Sequence, residues 1–156
     1  WPGRDVASAL PAACSVVDES TVRRLVPQAT AEDRDRPLNG LIKSCEWAAG
    51  EPVPQIYMRF ELREPQSFTL TGPGARTHEL FLSRVDDDCP TRLQGVGDEA
   101  CSGIASRPGG PDRAQVVARK GNVIVTVMFT TDHPSQQVLP ETIRLTREAL
   151  ARIPFE

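Results

Sequence analysis

Cysteines at 14, 45, 89 and 101 are the first residues in this chain whose types and spacing could do chemistry. An even set of this kind makes either two disulfides or one four-thiolate zinc site. Such zinc sites draw ligands in close pairs, about two to four residues apart, because one tight turn presents two sulfurs to the ion. Here the nearest pair, Cys89 and Cys101, has eleven residues between its members, and no histidine stands beside any of the four. A redox pair would need Cys-x-x-Cys, which the chain lacks. Two disulfides are therefore expected, and with them an oxidising, extracytoplasmic compartment. Three connectivities exist in principle. The sequential one, Cys14–Cys45 with Cys89–Cys101, is favoured because it needs the least chain crossing.

The stretch "LQGVGDEACSG" contains Gly95-x-Gly97-x-x-Ala100, which matches a loose dinucleotide-binding loop. Such a loop must leave a strand and open a helix, because the pyrophosphate sits on that helix's free N–H groups. The chain instead continues with Cys-Ser-Gly and then "RPGGP", which cannot sustain a helix. The glycines are read as a sharp turn that aims residues 99–105 into a strand.

The two histidines are His78 and His133. "THELF" opens like the His-Glu-x-x-His zinc motif but has Leu82 where the second ligand belongs. His133 comes directly after Asp132, and neighbouring side chains on an extended segment diverge, so adjacency alone makes no dyad. No Gly-x-Ser-x-Gly elbow is present. A hydrolase built on His78 or His133 with nearby carboxylates stands as the weakest alternative. Asp86, Asp87 and Asp88 lack the spacing of a calcium loop and read as a solvated helix end. Arg107 and Arg113 flank "PGGPD", a surface loop that could meet an anion. No catalytic, cofactor-binding or metal-binding residue is assigned, and no cofactor is expected.

These residues need a scaffold, and 156 residues suit one domain. A net charge of −3 offers no basic field for nucleic acid or for anionic membranes. No run approaches the roughly 18 apolar residues of a membrane helix. Residues 1–13 read as a lead-in arm or linker remnant, and residues 14–156 as the single domain. "DESTVRRLVP" is a helix capped by Asp18 and stopped by Pro27. "QATAEDRDRPLNG" is a polar loop. "SCEWAAG" is a short strand, and "QIYMRFELRE" alternates apolar with polar residues as a half-buried strand does. "ARTHELFLSRV" reads as a helix that buries Phe81, Leu82 and Val85. "AQVVARKGNVIVTVMFTT" is a hairpin turning at Lys120-Gly121-Asn122, its second arm central in the sheet. "PETIRLTREALARI" closes as a helix with Ile143, Leu150 and Ile153 inward. The expected fold is α+β: an antiparallel sheet with helices on one face.

Several stretches taken together resemble a family of actinobacterial lipoproteins and membrane-anchored extracytoplasmic domains of unassigned function. They are "CSVVDESTVRRLV", Cys45-Glu46-Trp47, the turn at 95–100, "ARKGNVIVTV" and the closing helix. The layout is also similar to the extracellular sensor domains of some actinobacterial receptor kinases. The resemblance covers residues 10–153 and implies an upstream anchor and a Cys14–Cys45 bridge. This chain departs from the family in having Ala13, where a proline usually precedes the first cysteine. It also has Cys101 where others often carry an aromatic residue, so the Cys89–Cys101 bridge would be particular to this branch. No catalytic residue comes with the resemblance. The expectation is a monomeric, non-enzymatic binding or sensor domain, anchored at the cell surface or secreted. Its partner would be an envelope component, a small ligand or a protein, and the membrane would be met only through the anchor. An inhibitor-like interaction protein is the alternative.

Overall fold

The computed structural model describes residues 6–35, 41–50, 53–63, 73–106, 108–132 and 137–156. A short 3-10 turn, Ala13–Ser15, leads into α1 (Glu19–Leu25), β1 (Thr30–Asp33), β2 (Ile42–Ala48) and β3 (Gln55–Leu62). Helix α2 (Pro73–Arg84) comes next, then β4 (Thr91–Leu93), β5 (Glu99–Ser106), β6 (Asp112–Lys120), β7 (Val123–Thr131) and α3 (Val138–Ala151). The strands form one sheet in the order β1-β2-β3-β7-β6-β5-β4, and every pair is antiparallel. The α+β class is as expected from the sequence. β7 is the middle strand, which explains why seven successive residues, Val123–Phe129, carry so little charge.

Strand alternation divides the sheet into two faces. Ile56, Met58, Phe60 and Leu62 of β3 point the same way as Cys45 and Trp47 of β2 and Val123, Val125 and Val127 of β7. This inner face packs against Leu145, Ala149 and Leu150 of α3 and against Val16, Val22 and Val26 around α1. Charged contacts fasten α1 to α3. Arg24 donates both guanidinium nitrogens to Glu141, at 2.8 and 3.0 Å, and Arg152 donates to Asp18 at 2.8 Å. Asp18 occupies the N-cap position of α1, but its side chain makes no cap bond, because Arg152 takes it.

To the helix-covered face the structure adds a second layer. α2 lies on the outer face, where Phe81 packs with Cys89, Cys101, Val117 and Ile124 in a separate cluster. His78 midway along it reaches Glu99 of β5 and Arg84 at its end reaches Glu61 of β3, so the helix lies across the central strands. After it, β4 to β7 run from the sheet edge inward. Leu82, read as part of the helix's buried stripe, is 43% exposed; Thr77 and Phe81, one turn apart, are the fully buried pair, with Leu80 and Val85 partly buried beside them.

Both disulfides join the expected partners, Cys14–Cys45 and Cys89–Cys101. Each ties a segment beside a helix to a strand, and Gly103 makes room for the second. A Cβ at Gly103 would collide with the Asp88 carbonyl, so only glycine lets the Asp86–Cys89 loop lie this close to β5. Two short strands escape the sequence reading. β1 replaces part of the polar loop at 28–40, and β4 lies in "TRL". Both are edge strands held by backbone pairing, with no buried stripe to announce them.

The lead-in arm is packed from Val6 onward: Ala7, Leu10 and Ala13 are buried. Ala7 bridges Phe155 near the C-terminus, and Asn122 holds it from both sides. Asn122 Oδ1 accepts from the Ala7 N–H at 2.8 Å, and Nδ2 donates to the carbonyls of Ala7 and Arg63 at 2.9 and 2.8 Å. The hairpin turn thus organises the arm as well as the strands.

Candidate functional site

Cross-strand pairing lays the outer face out as rows. Glu99, Arg119, Ile124 and Glu61 form the first, across β5, β6, β7 and β3. Cys101, Val117, Thr126 and Arg59 form the second. Gly103, Gln115, Met128 and Tyr57 form the third, and Ala105, Arg113, Thr130 and Gln55 the fourth. α2 covers the first two rows and leaves the last two open.

In the covered half nearly every charge has a partner. Glu99 Oε1 accepts from Arg119 Nε at 2.6 Å and lies 2.6 Å from His78 Nδ1. Arg119 also donates to the Gly121 carbonyl at 2.9 Å and sits 3.5 Å from Asp98. Glu61, only 5% exposed, takes Arg59 and Arg84 on Oε1, each at 2.9 Å. Its Oε2 and the Arg59 Nε are buried without a hydrogen bond. Arg92 stacks over Phe81, 5.1 Å from the ring centre.

His78, one of the two candidate histidines, is therefore engaged by Glu99. His133 and Arg107 lie outside the described residues. The Gly95-x-Gly97 segment is a turn, as expected. Both glycines have positive φ, +76° and +59°, and Asp98 clasps the hairpin tip. Its N–H donates to the Arg119 carbonyl at 2.7 Å, and its carboxylate accepts from the Gly121 N–H at 2.7 Å. Asp86 accepts from the Asp88 N–H at 2.8 Å, which shapes the loop rather than assembling ligands around a centre. Among the described residues, one group of potential metal ligands converges, Cys14, Asp33 and Cys45, and its two sulfurs are bonded to each other.

The open half differs in kind. Gln55, Tyr57, Arg113, Met128 and Thr130 line a depression of about 200 Å³. Gln55 donates to Glu46 at 2.6 Å. The Tyr57 phenol, Arg113 guanidinium, Gln115 amide and Thr130 hydroxyl make no side-chain hydrogen bond among the described residues. Three strands about 4.8 Å apart, β3, β7 and β6, thus present uncommitted donors and acceptors around a single thioether. A larger cleft, about 320 Å³, lies between the hairpin tip and the end of α3. Its polar groups are already engaged: Arg147 bonds the Gly95 carbonyl, Lys120 stacks on Phe155, and Asp98 holds Gly121. The open outer face is therefore the better candidate.

Sequence reading found the alternation that places Tyr57 and Arg59 on one side of β3. It did not single out Tyr57, Gln115, Met128 or Thr130 as a site. The available signal was the outward register of β3, β6 and β7. What it lacked was where α2 would stop. No protein-family model, curated protein or solved structure matches this chain.

Proposed function

We propose that this chain is a non-enzymatic extracytoplasmic binding or sensor domain, held at the cell surface by an upstream anchor, with the open outer face as its binding surface. One observation carries the reading: polar side chains with no internal hydrogen-bond partner are concentrated on a sheet half that a helix could have covered and does not. Polar groups open to solvent hold water in place of protein partners, so a half-buried cluster of them is suited to a ligand that takes over those bonds. Both disulfides support an oxidising compartment. Among the described residues no helix is long and apolar enough to cross a membrane, so a tether would lie elsewhere. The likeness in motif order to anchored actinobacterial domains supports the same placement. An envelope component bearing an anionic group fits Arg113, with flat contact on Tyr57 and Met128.

A photo-crosslinking amino acid at position 128, in the full-length protein in intact cells, tests this. A discrete adduct is expected at 128 and none from exposed position 23 on α1. The adduct should disappear in a Tyr57→Ala/Arg113→Ala background of unchanged thermal stability. Equal labelling at 128 and 23, or an adduct indifferent to those substitutions, would refute the reading.

A further inference from the structure

β5 is paired fully on one side and only partly on the other. β6 accompanies it from Glu99 to Ser106, whereas β4 pairs only with Ala100, Cys101 and Ser102. Beyond Ser102 the outward backbone groups of residues 103–106 meet no strand among the described residues. Natural sheets blunt such an edge with Lys, Pro or a bulge. Here the segment carries Ile104, 52% exposed, between two small residues, Gly103 and Ala105. Ile104 pairs with inner-facing Ala114 and so lies on the inner-face side, while Gly103 and Ala105 face outward.

Charge marks the two ends of the segment differently. The loop after α2 runs over Gly103, placing exposed Asp87 and Asp88 at that end. Arg113 lies directly across from Ala105 at the other. These three charges make no ion pair among the described residues, yet they border one concavity with Gly103, Ile104 and Ala105.

We propose that residues 103–106 receive an extended segment of another protein as an added antiparallel strand, with the pattern acidic–apolar–basic from its N-terminus. Side chains alternate along a strand, so the apolar residue falls beside Ile104 on one side. The flanking pair falls on the outer side, about 7 Å apart, where the acid meets Arg113 and the base meets Asp87 and Asp88. Ala105 presents only a methyl, which leaves Arg113 a path to the added strand. Antiparallel approach continues the pairing of every other strand in the sheet and fixes the order of charges. A second copy of this chain is the competing occupant: from its N-terminal end its own edge carries Asp87 and Asp88, Ile104 and then Arg113, so two-fold antiparallel pairing would also oppose unlike charges, and sedimentation separates the two occupants. The inference rests on reading the domain as a binding module, and it names the partner class and the sheet edge that adjoins the open face and shares Arg113 with it.

Fluorescence anisotropy on the intact, disulfide-bonded protein tests it with three ten-residue labelled peptides. One has Glu-Val-Lys at its centre in a polar, strand-forming context. The second has the charges exchanged, and the third is the first with alternate backbone nitrogens methylated. The Glu-Val-Lys peptide should bind roughly tenfold tighter than the exchanged one at low salt, and methylation should abolish binding. A D87K/D88K/R113E variant of unchanged thermal stability should reverse the preference. Absence of binding at millimolar peptide, equal affinity for both charge orders, or tolerance of methylation would overturn the proposal. So would a dimer in sedimentation that Ile104→Lys dissolves. Failure of the peptides with the crosslink at 128 intact would remove the edge proposal and leave the open-face reading standing.

Discussion

Gly97→Ala should destabilise the protein two to three times as much as Gly95→Ala, although both glycines belong to one turn and both have positive φ. At Gly95 an ideal Cβ would come no closer than 3.9 Å to any atom, and that atom is the mobile guanidinium of Arg147. The cost there is the left-handed backbone alone, about 1–2 kcal/mol for a residue with a Cβ. At Gly97 the added methyl would stand 2.5 Å from the Arg119 carbonyl oxygen. That oxygen is backbone and cannot swing aside. It also accepts the Asp98 N–H at 2.7 Å, beside the Gly121 N–H bond to the Asp98 carboxylate. Relieving the overlap must lengthen both bonds, each contributing about 1 kcal/mol net. The sum for Gly97 is about 3–4 kcal/mol, a large part of the roughly 5–15 kcal/mol that holds a domain this size together. Urea unfolding with the disulfides intact, monitored by fluorescence of buried Trp47, measures the difference through the midpoint at constant slope. Equal midpoint shifts for the two variants would refute the clash argument and with it the reading of Asp98 as the clasp of the hairpin.

Other contacts set further expectations. Intact protein should take up no alkylating agent until reduced and four groups afterwards, matching its four bonded cysteines. By loop entropy, losing the Cys14–Cys45 bridge, with a separation of 31, should cost about 3.7 kcal/mol, and losing Cys89–Cys101, with a separation of 12, about 2.8 kcal/mol; denaturant midpoints of the paired Cys→Ala variants check the order. Asn122→Ala should cost about 2–4 kcal/mol, since it strands the buried Ala7 N–H and frees two carbonyls. Faster amide exchange at Ala7 and Glu156 would show the released arm. The hydrogen bonds from Arg24, with its charge, hold the Glu141 carboxyl below its ordinary range against the opposing effect of burial. Because the folded-state value is lowered, the gain is present above the unfolded carboxylate range and is lost as pH falls through the folded value. Glu141→Gln should therefore lose up to about 1 kcal/mol at pH 7 and match the wild type in strong acid; equal deficits at both pH values would contradict this.

The central strands were readable because burial imposes a period on them. β3 alternates, and β7 is apolar on both sides because helices lie over both faces at its start. The pairing of the cysteines was readable too, since the sequential connectivity links neighbouring parts of a sheet that folds by local hairpins. β1 and β4 were not readable, because edge strands with exposed side chains owe their form to backbone bonds with a neighbour. Leu82 was misplaced because the buried face of α2 runs through Thr77, Phe81 and Val85, one turn apart, which turns Leu82 toward solvent. The open face was hidden most thoroughly. Tyr57, Gln115 and Thr130 look like any solvent-facing strand residues until the length of α2 is known.

That length has a physical consequence for where binding can occur. A helix laid over sheet charges removes their water, so each must find a partner beneath it. Glu61 with Arg59 and Arg84, and Glu99 with Arg119 and His78, are the result. One carboxylate oxygen of Glu61 and one nitrogen of Arg59 still go unbonded there. Just past Arg59 along β3 the cover ends, and at Tyr57 the side chains need no internal partner because water reaches them. A ligand arriving at Tyr57, Met128 and Arg113 would displace that water without breaking an existing contact, whereas one seeking Glu61 or Glu99 would first have to lift α2. Binding at the open half should accordingly leave the stability of the α2 cluster unchanged. Amide exchange in residues 76–84 should be the same with and without a bound partner, and protection spreading into that helix would place the site under it instead.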